Sequence, residues 1–124
     1  MKWAPADEFE CASAALETAR IQLSLGQLDA AEYSAASAVR TYREGYYRRG
    51  QIVAGLVLAE VHLRAGEPQG LPLAQEALTQ VSTLHSLAVR RDLVAPLATA
   101  LAARPDTEAQ ELARQARGLA TTQT

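Results

Sequence analysis

The residues of this chain best placed to do chemistry are arginines interleaved with tyrosines. Arg40, Arg43, Arg48 and Arg49 alternate with Tyr42, Tyr46 and Tyr47. Guanidinium groups fork onto phosphates and carboxylates and tyrosine rings stack, so this is the composition of a nucleic-acid or protein contact surface. The stretch EGYYRRG also fits a helix end and the loop after it, where arginine complements the helix dipole and tyrosine covers a neighbouring element. Both readings stay open, and Arg43, Tyr46, Tyr47, Arg48 and Arg49 form a candidate contact patch.

Covalent and metal chemistry have less to draw on. His62 and His85 are the only histidines, and neither has an acid or thiol beside it at ligand spacing, so a packed or half-exposed ring is predicted. Cys11 stands alone in an alanine-rich helix with no nucleophile signature around it, and reads as a small buried hydrophobe. No G-x-S-x-G, phosphate loop or dinucleotide fingerprint occurs. The expectation is a protein that is not an enzyme, with no catalytic residue, cofactor or metal.

Those residues must be held by helices. Alanine supplies 26 of the 124 residues against 5% aromatics, which favours closely approaching helices over a sheet. Net charge is −2, so a phosphate backbone is a poor principal partner and direct nucleic-acid binding is not expected. The longest strongly apolar run, Ile52 to Val61, contains Glu60 and falls far short of the roughly 20 residues that span a bilayer. One unpaired cysteine and an acidic N-terminal segment point to a reducing, cytoplasmic setting without membrane contact.

Two helix–turn–helix stretches, RIQLSLGQLDAAEYSAASAV and AEVHLRAGEPQGLPLAQEAL, repeat with their turn glycines, Gly26 and Gly66, 40 residues apart. Spacing of that size marks stacked helical hairpins. Phe9, Ala12, Leu16, Ala19 and Leu23 form the apolar stripe of a first helix after Pro5, which has Asp7 and Glu8 in its first turn. Leu28, Ala31, Ala35, Ala38 and Tyr42 form that of the second, and Ile52, Leu56, Ala59 and Leu63 that of the third. The fourth starts near Leu71, Pro96 should kink or divide the fifth, and Thr107 with Gln110 fits a capping box for the sixth, after which TTQT should fray. The fold class is therefore all-α: one domain over 1–124, with antiparallel hairpins at about 7–44, 51–84 and 86–120.

Ala19, Gly26, Ala31 and Ala38, and again Ala59, Gly66 and Ala74, fall where tetratricopeptide hairpins place small crossing residues and a turn glycine. The aromatic expected early in each first helix is absent and the period is longer, so the repeats are tetratricopeptide-like, which implies a right-handed superhelix. From about Leu23 onward, and most specifically at AARPDTEAQELARQAR, the chain resembles the C-terminal effector region of actinobacterial XRE-type helix-turn-helix transcriptional regulators. That resemblance implies protein contact or sensing in transcriptional regulation. Nothing before Glu8 could supply a DNA-binding domain, so base readout is not expected of this chain.

Repeats of this kind present the first helix of each hairpin to a concave groove, which predicts Arg20, Leu23, Glu60, Leu63, Arg64 and Arg91 on a solvent-facing surface. Mixed charge with leucine suits an extended peptide or a partner helix. The functional expectation is a non-catalytic interaction module with a protein or peptide partner. The alternative is a ligand- or peptide-sensing domain working with a helix-turn-helix domain elsewhere, and an unpaired end of the stack makes a homodimer a further expectation.

Overall fold

The computed structural model describes residues 5–121, with side chains from residue 8 onward. The side chain of Asp7 and most of the TTQT end, both assigned roles above, lie outside the described residues. Six helices follow one another: α1 (Pro5–Ser24), α2 (Leu28–Glu44), α3 (Arg48–Arg64), α4 (Gly70–Val81), α5 over 87–102, and α6 (Thr107–Thr121). No strand occurs among the described residues.

Helix α3 is the centre of the assembly. It packs against α1, α2, α4 and α5, and Ile52, Ala54, Leu56, Val57, Ala59, Val61, His62 and Leu63 are all buried on it. A helix that is apolar on most of its circumference is stable only when enclosed. Its neighbours approach through alanines: Ala12 and Ala19 on α1, Ala31, Ala35 and Ala38 on α2, and Ala74 on α4 are buried to about 1% exposure or less. Helices α1, α3 and α5 lie side by side, while α2, α4 and α6 close hairpins against them and α6 reaches α4.

The turns explain the spacing. Gly26 and Gly66 adopt φ of 77° and 74°, a left-handed conformation that closes a helix C-terminus without a Cβ penalty. Midway between them Tyr46 does the same at φ 60°. All three ends carry the same pair of bonds. Gln27, Tyr47 and Glu67 donate their amides to the carbonyls of Gln22, Tyr42 and His62 at 2.9, 2.9 and 3.0 Å, and Gly26, Tyr46 and Gly66 donate to Leu23, Arg43 and Leu63 at 3.1, 3.1 and 3.0 Å. The true local period is thus 20 residues, one helix and one turn, and the third copy hides because its left-handed position holds tyrosine.

One local expectation is met and one is corrected. Pro96 divides the fifth helix by interrupting its regular winding: α5 begins after Ser86, whose Oγ accepts from the Val89 amide at 3.3 Å, and passes through a π-helical turn, Arg90–Val94, before Ala95–Ala102. Proline has no amide for the Asp92 carbonyl and its ring crowds that oxygen, so the turn before it widens, with Ala95 donating back to Arg90. Buried Arg90 donates to the Leu84 carbonyl at 3.1 Å and fastens the α4–α5 linker. Gln110 does not complete a capping box with Thr107; its amide turns back to the carbonyls of Ala102 and Arg104, closing the end of α5.

Two stability measurements follow. Ala59→Asp places a carboxylate in a crossing that has no partner for it and should abolish the cooperative thermal transition. Tyr46→Gly relieves a left-handed tyrosine and should stabilise the fold by about 1 kcal/mol in urea unfolding.

Candidate functional site

The face shared by α1, α3 and α5 holds a groove of about 610 Å³. Leu16 and Arg20 of α1 form one wall, Val89, Asp92 and Leu93 of α5 the other, and Gly50 and Val53 of α3 lie between them. One end is aromatic. Phe9 meets Tyr42 edge-on at 5.8 Å between centroids, Phe9 and Tyr47 lie 5.0 Å apart, and Tyr42 meets Tyr47 edge-on at 6.3 Å. Edge-to-face pairs of this kind add roughly 0.5–1.5 kcal/mol each beyond the area they bury.

This cluster dictates the glycines around it. A Cβ on Gly50 would sit 2.4 Å from the Tyr42 ring, and one on Gly45 would sit 2.5 Å from the Tyr47 ring. Tyr42 itself is buried, and its hydroxyl shares a 2.8 Å hydrogen bond with Ser13 Oγ on α1, which fixes the ring against the first hairpin. Around this floor stand Arg20, Arg48, Arg49 and the phenol of Tyr46, which is 92% exposed.

The two sets of candidates taken from the sequence therefore partly converge. Tyr46, Tyr47, Arg48 and Arg49 of the contact patch share the groove with Arg20, whereas Arg43 lines a separate depression with Val39, Gln51 and Gly55. Arg20 continues into a second depression of about 170 Å³ with Leu23, Glu60, Arg64 and Asp92. Arg64 also borders a third, of about 730 Å³, with Leu63, Arg104 and Asp106. Leu23 and Leu63 touch these hollows but are buried, not solvent-facing: each extends the apolar stripe of its helix, Leu23 after Ala12, Leu16 and Ala19, and Leu63 after Ile52, Leu56 and Ala59. Arg91 points away from the groove into solvent and pairs with Asp92 at 3.0 Å. Cys11, expected to be buried, is exposed, because Ala12 next to it takes the inward position.

Glu60 is the unusual acid of the second depression. Burial on α3 pushes its pKa above the ordinary value, against the opposing pull of Arg64 and Arg20. Arg64 stands 3.8 Å away and spends one guanidinium nitrogen on the Leu23 carbonyl at 3.1 Å, so it compensates Glu60 only in part.

The sequence concealed one further constellation. His62 is buried with Nδ1 hydrogen-bonded to Glu67 and Nε2 3.8 Å from Glu32. Glu67 comes from the turn after Gly66 and Glu32 from α2, a hairpin away, so linear spacing carried no signal. These three side chains converge within 4.8 Å, close enough to surround a cation. The ring faces one carboxylate with each nitrogen, hydrogen-bonded to Glu67 and beside Glu32, which ties α2 and the α3–α4 turn to α3.

Compared with known proteins, the chain is matched by no family model, no curated protein and no solved structure. No helix among the described residues is long and apolar enough to cross a membrane.

Glu60 yields a pH prediction. With its folded pKa above the unfolded value, its contribution is complete below the ordinary value of 4.5 and is lost as pH rises through the higher folded value, so at neutral pH its charge is a net cost. Glu60→Gln should melt higher than the parent at pH 7, and the difference should close as pH falls below 4.5.

Proposed function

We propose that this chain is a non-catalytic, tetratricopeptide-like interaction module whose inner face, formed by α1, α3 and α5, binds a peptide segment of a protein partner. The observation that carries this reading is the groove itself: an aromatic floor, arginines at the rim, and a length of concave surface continued by the second hollow beside Glu60 and Arg64. Aromatic and arginine side chains are the types enriched at protein contact surfaces, and extended peptides are bound in such grooves by pockets for alternating side chains.

The resemblance of the chain from about Leu23 onward to the effector region of XRE-type regulators supports placing the module in cytoplasmic transcriptional regulation, with any helix-turn-helix domain supplied elsewhere. In that setting a right-handed superhelix of three hairpins would present the inner face as a continuous surface, and pairing of two copies would cover an exposed end. The groove volume also falls within the range of about 300–1,000 Å³ typical of small-ligand sites, which favours a sensing domain as the second reading.

The test is selection of random twelve-residue peptides displayed on phage, followed by hydrogen exchange of the chain with the enriched peptides. Protection of amides in α1, the start of α3 and α5 is the expected result. Protection confined to the outer helices, or no enrichment at all, overturns the reading. Arg49→Ala should alter stability by no more than about 0.5 kcal/mol while weakening any selected peptide.

A further inference from the structure

Among the described residues there are two departures from regular backbone besides the glycine turns, and both border the same groove. Tyr46 holds a left-handed conformation at one rim, and the π-helical turn Arg90–Val94 forms part of the opposite wall. Strained single residues and π turns concentrate at functional sites, and here they meet across one cavity.

Tyr46 carries the stronger signal. Its two counterparts, Gly26 and Gly66, close equivalent turns with the residue that suits them. Its phenol is 92% exposed, and its side chain makes no hydrogen bond, ion pair or ring contact among the described residues. The tyrosine thus adds nothing visible to the fold and strains the turn that displays it.

Charge identifies what the groove would hold. Arg20, Arg48 and Arg49 line it against one lining carboxylate, Asp92, and Glu17 stands 3.8 Å from Arg20 outside the lining. Arg48 is engaged only by the Thr83 hydroxyl at 3.2 Å, and Arg49 has no partner among the described residues. This local excess of positive charge stands in a chain of net charge −2, so it is a feature of the groove and not of the whole surface. Beneath the rim, Phe9, Leu16, Tyr47 and Val53 offer apolar surface that an aromatic or aliphatic side chain would cover.

We propose that Tyr46 is a binding residue, kept at the rim at the expense of its turn, and that the occupant is an acidic peptide segment with an aromatic or aliphatic side chain near its centre. The proposal rests on the reading of the inner face as a binding surface and assigns that surface its partner chemistry. Carboxylates of the segment pair with Arg48, Arg49 and Arg20, its apolar side chain enters the aromatic end, and the Tyr46 ring folds against it from the rim.

The experiment measures fluorescence anisotropy of dye-labelled peptides from the random selection, using the full chain, Tyr46→Gly and Arg48→Glu/Arg49→Glu. The expected peptides are rich in Asp and Glu around a Trp, Phe or Leu, and their affinity falls as salt is raised from about 50 to 300 mM, since screening weakens exposed charge pairs. Tyr46→Gly should bind at least tenfold more weakly although it melts at a higher temperature, a combination that a purely structural tyrosine would not give. Charge reversal should abolish binding with an unchanged far-UV spectrum.

Groove-protecting peptides that are neutral or basic would overturn the proposal and leave the interaction module standing, as would undiminished binding by Tyr46→Gly. Competition by a single-stranded oligonucleotide, or a dimer in sedimentation that buries Tyr46, would give the groove to a different occupant and overturn it too. Selected peptides that protect only the outer helices would remove the binding surface and the proposal together.

Discussion

Enclosure of α3 is the constraint on which the rest of the structure depends. Its buried residues occupy most of its circumference, so α1, α2, α4 and α5 must all reach it at once. Four helices can crowd around one axis only where the crossing residues are small, and alanine meets that demand while also favouring the helix. The same enclosure traps His62, a polar ring on the buried side of α3, with Nδ1 hydrogen-bonded to Glu67 and Nε2 beside Glu32 of α2. Burial of an unanswered imidazole would be costly, so the clamp is a condition of the packing as much as a reinforcement of it.

Function builds on what α3 leaves uncovered. Its N-terminal half is roofed by neither α1 nor α5, and the gap is lined by side chains from both. The aromatic end is held by local chemistry: the Ser13–Tyr42 bond fixes one ring, and Gly45 and Gly50 leave room for two. Arginines then project from a surface already rigid beneath them, so less order is lost when a partner binds than on a mobile loop.

Much of the fold was legible in the chain. Gly26 and Gly66 marked turns because their left-handed conformation excludes most other residues, and the alanine stripes marked the crossings. The third turn was illegible for the converse reason: Tyr46 occupies a position where residue type misstates conformation, and a 20-residue period read as 40. Leu23 and Leu63 satisfied both the stripe and the groove pattern, and only packing could decide that they belong to the core. The contact patch was recognisable by composition, but its division, with Arg43 on a different side of α3 from Arg48 and Arg49, depends on helix phase across a turn. The His62 cluster left no trace because Glu32 comes from α2 and only the backbone turn after Gly66 brings Glu67 back onto the ring.

The π turn of α5 has a geometric consequence for the whole last hairpin. Val89, Leu93, Leu97 and Leu101 are all buried, a repeat of four residues sustained along the helix. In a regular α-helix such a repeat drifts around the axis by about 40° at each step and would carry Leu101 onto a different side from Val89. A wider turn near the start absorbs part of that drift and keeps the stripe in phase with α3 and α6. The residue that makes the helix irregular is therefore what lets a straight line of side chains serve one core, and the groove wall inherits its alignment from that correction.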